Sequence, residues 1–448
     1  MRGHHESRRF LPRRPRRERA RVGASIVTAP PEVVIIGAGV AGLTAARELS
    51  TAGARVLVLE ARDRLGGRVM THHAAEGTVE LGAEFVHGAF TETMGVVQEA
   101  GLRLREVGRG APRPTAGRRD AADYFSAMDR LLGHASAGAA DESFQHLVDR
   151  VDVEPKIKAQ GLRLVEGYHA ADPARISVQS LIRNTAADER PGGDRQFRFA
   201  DGYDSLVTAI FQRVDPRLCE VQCNVVVTAV EWRQKRVRIR TSAGAEFTAP
   251  QAIVTVPLGV LKTGAIPFTP ALNGKEQALR TLEMGAVVRV SLCLGSEVWA
   301  TQERLSTDGF LFTGDPPFPA WWVSSPPPFP VVTGWAAGPH ARALAGLSDA
   351  QRVRIAVDAL SVVLGMDSVR LHRGLRGGFS HDWQTDPFSR GAYSYAAVGG
   401  SSAGEELGAP LEATIFFAGE ATESDGQNAT VHGAIASARR VAREILRT

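Results

Sequence analysis

The segment 33–60 constrains the fold of this chain more than any other. Val33-Val34-Ile35-Ile36 is a short apolar, β-branched run that reads as a buried strand. It leads directly into Gly37-Ala38-Gly39-Val40-Ala41-Gly42. An Ala- and Leu-rich helix over 43–52 follows, stopped by Gly53, and a second strand over 55–60 ends on Glu60. In such a βαβ opening each glycine has its own task. Gly37 permits the tight turn, Gly39 lets backbone N–H groups approach a pyrophosphate, and Gly42 lets helix and strand pack closely. Val40 and Ala41 open the helix, whose N-terminus offers donors and a partial positive charge. Glu60 stands 18 residues beyond Gly42, placed to accept hydrogen bonds from a ribose diol and to repel a 2′-phosphate. Strand, helix and terminal acid together predict a dinucleotide site. The next stretch, Glu60-Ala61-Arg62-Asp63-Arg64-Leu65-Gly66-Gly67-Arg68-Val69, adds a second glycine turn around Gly67. It also adds Arg62 and Arg68 within reach of the same pyrophosphate, which favours FAD over NAD.

The rest of the chain is long enough for two interlocked domains, at 448 residues with 44% hydrophobic and 23% charged side chains. No apolar run approaches the roughly 18–20 residues of a membrane-spanning helix, so a soluble chain is expected and no membrane partner. The basic balance is local. Nine arginines and two glutamates up to Arg21 carry +7 of a formal net charge of +4, which leaves −3 for everything after them. A nucleic-acid-binding core would show a basic face of its own, so nucleic acid is not an expected partner beyond that tail. The Arg/Pro-rich tail is expected to be disordered. More arginines rather than an apolar stretch follow Ser7-Arg8-Arg9-Phe10-Leu11, which argues against an export signal and for a cytoplasmic location. Cys219, Cys223 and Cys293 are too few and wrongly spaced for a disulfide framework or a zinc site, and no metal is expected.

Helical, charged sequence occupies 91–187, interrupted by loops such as 108–119. Strands are expected at 225–232, 237–241 and 253–256, then at 287–294 and 415–417, with one helix and proline-rich loops (315–319, 326–330) between them. A last Ala-rich helix spans 431–446. The fold class expected is α/β plus α+β: a Rossmann-like FAD-binding domain with an inserted, discontinuous substrate-binding domain. The boundaries expected are a tail at 1–30, a cofactor domain from 31–90, 195–265 and 400–448, and a substrate domain from 91–194 and 266–399.

Beyond the glycine turn, the sequence resembles the flavin-containing amine oxidase family of monoamine oxidases, polyamine oxidases and lysine-specific histone demethylases. The resemblance rests on VVIIGAGVAGL (33–43), LEARDRLGGRV (59–69), VELGAEFVHG (79–88) and VTVPLGVLK (254–262). It continues in DPFSRGAYSYAAVG (386–399) and FFAGEATESDGQNATVHGA (416–434). It implies that Gly82, Ala83, Glu84 and Phe85 line the flavin and that Val227 meets the adenine side through its backbone. Gly419 and Glu420 would close over the pyrophosphate and ribityl chain, with Glu420 ordering water or a ribityl hydroxyl. Thr430 and Val431 would lie by the isoalloxazine at the start of the last helix. Ala392 stands where monoamine oxidases carry the cysteine that attaches FAD, so a non-covalent cofactor is implied.

The resemblance also supplies candidate catalytic residues. Tyr393 would be one wall of an aromatic cage around the substrate nitrogen, and Thr430 falls on the opposite wall. Trp383 would pack on the flavin side. His87 matches a channel histidine of several polyamine oxidases and could sense or relay a proton. The family keeps a lysine, water-bridged to the flavin, ten residues before a tryptophan; counting back from Trp299 gives Arg289. Arginine keeps the charge and can hold a water, but it cannot accept a proton. The implied reaction is hydride transfer from an amine to the flavin, giving an imine, then aldehyde or ketone, with O₂ as acceptor and H₂O₂ as product. The partner is a small-molecule amine, and a homodimer is compatible with the chain. Other readings stay open: an L-amino-acid oxidase, although 84–87 offers no arginine for a carboxylate; a histone demethylase; a carotenoid-desaturase-like enzyme; and a flavin-binding protein with little turnover, prompted by Arg289. Glu423 or Asp425, on the loop before the last helix, could serve as channel acids for a polyamine, but the plainer reading is of exposed loop acids that do not.

Overall fold

The computed structural model describes residues 29–75, 77–107, 121–299, 310–313, 316–325 and 330–448. The tail up to residue 28, the loop 108–119 and residues 315 and 326–329 of the proline-rich stretches therefore lie outside the described residues.

The opening βαβ unit forms as Val33–Ile36, Val40–Thr51 and Val56–Glu60. It sits at the centre of a five-stranded parallel sheet in the order Ile415–Phe417, Gln251–Val254, Val33–Ile36, Val56–Glu60, Cys219–Cys223. The strands alternate between two cores, as their period of two requires. Val33, Ile35, Val56, Val58, Ile253 and Phe416 meet the helices Val40–Thr51 and Val431–Ile445. Val34, Ile36, Leu57, Leu59, Val254 and Phe417 meet the strands Val227–Arg233 and Arg236–Thr241 of a four-stranded sheet. Burial on both faces explains the continuous apolar runs.

Cys219 and Cys223 are the two ends of a strand, paired in register with Val56 and Glu60. Alternation of buried Cys219 and Val221 with polar Glu220 and Gln222 marks a sheet edge, which the sequence disguises with two charged or amide residues in five. Both thiols are free, and burial pushes that of Cys219 up to about 12.

A second, antiparallel sheet runs in the order Phe310–Phe312, Ala320–Ser325, Val331–Ala337, Val287–Leu294, Leu375–Asp382. Val288, Val290 and Leu292 pack under the helix Asp349–Leu364. That helix begins with a complete capping box between Ser348 and Gln351; the sequence reading expects one helix in this stretch without placing it. Because side chains alternate across a strand, Arg289 and Ser291 face the other way, towards the interior of the molecule. The helices Ala121–Leu132, Phe144–Arg150, Pro155–Gly167 and Val178–Asp188 form a third core around Leu131, Phe144 and Leu164. The helix Thr91–Ala100 belongs by packing to the parallel-sheet core, since Val96 is buried there and Met94 and Val97 pack against it. Among the described residues no helix is long and apolar enough to cross a membrane.

Candidate active site

A single cavity of about 860 Å³ runs from the carboxyl ends of the parallel strands, through the space beneath the antiparallel sheet, to the helical layer. That is near the top of the roughly 300–1,000 Å³ range of ligand sites. Gly37, Glu60, Thr255 and Gly419, each just past or at the end of a parallel strand, line its first part, where open α/β sheets bind ligands. The glycines there are needed sterically. A Cβ on Gly42 would lie 1.9 Å from the Gly37 carbonyl oxygen, and one on Gly67 would lie 3.2 Å from Gly39 Cα. No side chain caps the helix that starts at Val40, so its first amides are left for a ligand. Glu60 is buried; its carboxylate accepts from the amides of Ala38 at 2.7 Å and Arg62 at 2.8 Å. Val40, Ala41 and Val227 complete this end.

The arginines here are already paired. Arg62, assigned from sequence to a pyrophosphate, forks onto Asp386 with contacts of 2.8 and 3.0 Å. Asp386 also contacts His381 at 2.9 Å; burial opposes its ionisation, but His381 and Arg62 hold it well below the usual carboxylate range. Bidentate Arg–carboxylate geometry is the stronger claim on a guanidinium, so Arg62 fastens the cofactor turn to the segment 386–389. Arg68 donates to Glu420 and to the Ala392 carbonyl, both at 2.7 Å. Glu420 also accepts from Ser394 Oγ at 2.6 Å and the Ala429 amide at 3.0 Å. Its carboxylate therefore organises the wall around Arg68 and Ser394. Gly419 adopts φ 139° and donates its amide to Ser437 Oγ at 2.9 Å.

Further in, the cavity is lined by the candidates Gly82, Ala83, Glu84, Phe85, His87, Arg289, Trp383, Tyr393, Thr430 and Val431, drawn together from four distant segments, and by Trp322. Tyr393 donates its hydroxyl to the Tyr168 carbonyl at 2.9 Å, which fixes the ring, and burial raises its phenol above the ordinary value. Thr430 is the N-cap of the helix Val431–Ile445: its Oγ1 accepts from the Gly433 amide at 3.0 Å and donates to the Gln427 carbonyl at 2.6 Å. Its hydroxyl thus serves the helix. Phe85, Phe310, Trp322 and Trp335 add a run of aromatic lining, with neighbouring ring centroids 5.5–5.6 Å apart. Trp383 is buried and donates Nε1 to the Leu81 carbonyl at 2.8 Å. His87 stands edge-on to Tyr168 with centroids 5.6 Å apart.

Arg289 is buried. Nη2 lies 2.6 Å from Glu84 and Nη1 3.0 Å from the Gly82 carbonyl. Glu84 also faces Arg198 at 3.0 Å and receives the indole N–H of Trp322 at 3.0 Å. Burial alone would raise Glu84, but Arg198 and Arg289 outweigh it and hold it below the ordinary range. Arg198 and Trp322 were missed in the sequence; the only signals were a basic residue between Phe197 and Phe199 and a tryptophan pair at Trp321-Trp322.

At the helical end the lining turns acidic. Asp129, Glu166, Asp188, Glu189 and Asp194 line it, against Arg163 and His340. Burial and the neighbouring Glu189 raise Asp129, and burial raises Glu166. Glu423 and Asp425 are not part of this lining; the Glu423 carboxylate instead accepts from the amides of Asp425 and Gln427 at 2.8 and 2.7 Å. Among the described residues no group of three or more His, Cys, Asp or Glu is placed to hold a metal ion.

A sequence model of the flavin containing amine oxidoreductase family matches residues 40–165 and 140–446, which is most of the chain. The chain belongs to that family. Among similar sequences, polyamine oxidase 4 of Oryza sativa subsp. japonica is 28% identical over 444 residues, covering 91% of this chain and 87% of that one. Lysine-specific histone demethylase 1 homolog 1 of Arabidopsis thaliana is 30% identical over 464 residues; the match covers 93% of this chain but only 52% of the demethylase. Among solved structures, a wild-type putrescine oxidase bound to putrescine superposes with a TM-score of 0.77 at 21% identity, covering 94% of this chain and 100% of that one. Cyclohexylamine oxidase from Brevibacterium oxydans gives 0.73 at 20% identity, covering 93% and 100%. These superpositions show that the fold is shared.

As a flavin-containing amine oxidoreductase the chain uses FAD. The residues present fit that cofactor on grounds of their own. An uncapped helix N-terminus faces the cavity, the glycine cradle has no room for side chains, and a buried acid waits at the end of the second strand.

Proposed function

We propose that this amine oxidoreductase oxidises a diamine or polyamine, with O₂ as the final acceptor and H₂O₂ as product. The observation that carries the reading is the polarity of the cavity: aromatic around Tyr393, Trp322 and Phe310, then five carboxylates at the helical end. An amine bearing a second ammonium group matches that sequence of surfaces; an amino-acid carboxylate meets repulsion at the helical end.

The amides at the start of the helix Val40–Thr51 would hold the FAD pyrophosphate and Glu60 a ribose, with Val227, Gly67 and Gly419 lining the path. Ala392 offers no sulphur, so the cofactor is held without a covalent bond. Bound FAD supplies a two-electron acceptor for the hydride of the substrate α-carbon. Tyr393 and the ring set of Phe85, Phe310 and Trp322 orient the substrate C–H bond and exclude water. Tyr393, its hydroxyl tied to Tyr168, packs against the substrate as a fixed ring. His87, beside Tyr168, lies where it can take up a proton from an arriving ammonium group. Asp129 and Glu189 receive the distal ammonium. Domain boundaries follow the same division: the parallel sheet with its helices as the cofactor domain, and the antiparallel sheet with the helical layer as the substrate domain.

Peroxide release measured across putrescine, spermidine, spermine, benzylamine and the common L-amino acids tests this. The reading expects the highest kcat/KM with the multiply charged amines. Turnover confined to L-amino acids overturns it in favour of the amino-acid oxidase.

A further inference from the structure

The cavity wall between Gly82 and Trp322 contains charges that the chemistry above does not use. Glu84 lies 2.6 Å from Arg289 and 3.0 Å from Arg198, and receives the indole N–H of Trp322. The three charged side chains are only 3%, 2% and 8% exposed, respectively. Buried ion clusters of this kind seldom stabilise a fold more than apolar side chains of the same volume would. This one is assembled from three separate segments: the turn after Gly77–Glu80, the strand Gln196–Phe199 and the strand Val287–Leu294. Glu84, Arg289 and Trp322 are also cavity lining. From the glycine turn and Glu60 the lining continues through Arg68 and Gly82 to Glu84, Trp383 and Tyr393, so a dinucleotide anchored at the former directs its redox end towards the latter.

We propose that Glu84, Arg198 and Arg289 form a fixed charge cluster that sets the electron affinity of the bound FAD, Glu84 lowering it and the two guanidiniums raising it. The inference rests on the FAD reading above. Reduction adds negative charge to the flavin, and fixed charges in a water-poor wall act on that charge without having to reorganise. The clamps keep them fixed: Arg289 Nη1 holds the Gly82 carbonyl at 3.0 Å and Arg198 Nη1 the Val323 carbonyl at 2.9 Å. Arginine does not lose its proton in the working pH range, so this influence does not titrate as that of a lysine can.

The test is the midpoint potential of the FAD-loaded enzyme, read anaerobically against a reference dye, for Glu84→Gln, Arg198→Met, the double variant and Trp322→Phe. Glu84→Gln is expected to shift the reduction equilibrium at least about tenfold towards reduced flavin, about 30 mV for a two-electron couple. Arg198→Met shifts it by a similar factor the other way, the double variant returns to near the parent, and Trp322→Phe, which changes no charge, leaves it in place. If Glu84→Gln does not fold, the rise from Arg198→Met to the double variant decides the matter. Both single substitutions moving the potential in one direction, or a double variant that does not return, would mean a structural role and overturns the proposal. A loaded enzyme whose potential ignores all four variants overturns this inference alone; a chain that takes up no FAD overturns the cofactor reading with it.

Discussion

At the Gly37–Gly42 end the cavity wall is mostly backbone, and the ionisable side chains beside it are paired: Arg62 with Asp386, Arg68 with Glu420, Glu60 with two amides. At the helical end the wall is side chains, and they carry mostly one sign: Asp129, Glu166, Asp188, Glu189 and Asp194 against Arg163. The first arrangement leaves its unused donors at a helix terminus and has no room for adjustment. The second can change sign or spacing by substitution without disturbing a strand or a turn. A fold built this way keeps its cofactor geometry fixed while its substrate preference remains adjustable.

Breaking the rigid end should have the largest effect. Gly42→Val puts carbon into the space of the Gly37 carbonyl, 1.9 Å from where its Cβ must go. The expected result is FAD affinity reduced at least about a hundredfold, equivalent to about 2.8 kcal/mol, read from the flavin content of purified protein whose circular dichroism reports the fold. Glu60→Leu is the next largest. It removes the acceptor of the Ala38 amide and the proposed ribose contact, and a charge-assisted hydrogen bond of about 1.5–3 kcal/mol predicts about a tenfold to hundredfold weaker FAD in a binding titration.

The helical end should respond more gently and selectively. Asp129→Asn combined with Glu189→Gln is expected to raise KM for a diamine about two- to fivefold per charge, with kcat and the KM of benzylamine little changed. Added salt should shrink the difference, because these groups are solvent-accessible. Equal effects on diamine and benzylamine would remove the distinction between the two ends.

The smallest effect concerns Glu80, just before the cofactor-lining turn. Burial pushes its carboxyl up to about 8, although it accepts from the Tyr203 amide and Thr71. Unfolded, the group titrates at about 4.3, so between about 4.3 and 8 the folded state binds the extra proton and stability falls as pH rises. Glu80→Gln should flatten that fall: relative to the parent, its Tm gains a few degrees on going from about pH 5 to about pH 8. A constant Tm difference across that range would show that Glu80 does not titrate there.

The same contrast governs what could be read from the sequence. Gly37, Gly39, Gly42 and Glu60 were legible because each answers a backbone requirement that few residue types meet. The convergence of Gly82, Tyr393 and Val431 was legible only through resemblance to a family, since no local rule joins segments so far apart. The acids of the helical end were not legible: on or just after the helices Ala121–Leu132, Pro155–Gly167 and Val178–Asp188 they look like an ordinary solvated face, and only the layer folding over the cavity gives them a target. Glu423 and Asp425 lie outside the lining, as the plainer reading of loop acids has it; an acid such as Glu423 that accepts backbone amides in a tight loop looks the same in sequence as one facing a channel. Arg289 was found but not its orientation. Val287–Leu294 is buried on both faces, so the pattern shows no solvent side, and the partners of Arg289, Glu84 and the Gly82 carbonyl, lie in another segment.

The central claim is that the cavity joins FAD at its glycine end to an amine at Tyr393, and the most direct measurement is an anaerobic titration of the FAD-loaded enzyme with putrescine or spermidine followed by readmission of air. The account predicts stoichiometric loss of the oxidised flavin absorbance, restored by oxygen with peroxide formed, and Tyr393→Ala greatly slowing the loss. A flavin spectrum that no amine changes, in protein that retains its FAD, would contradict it.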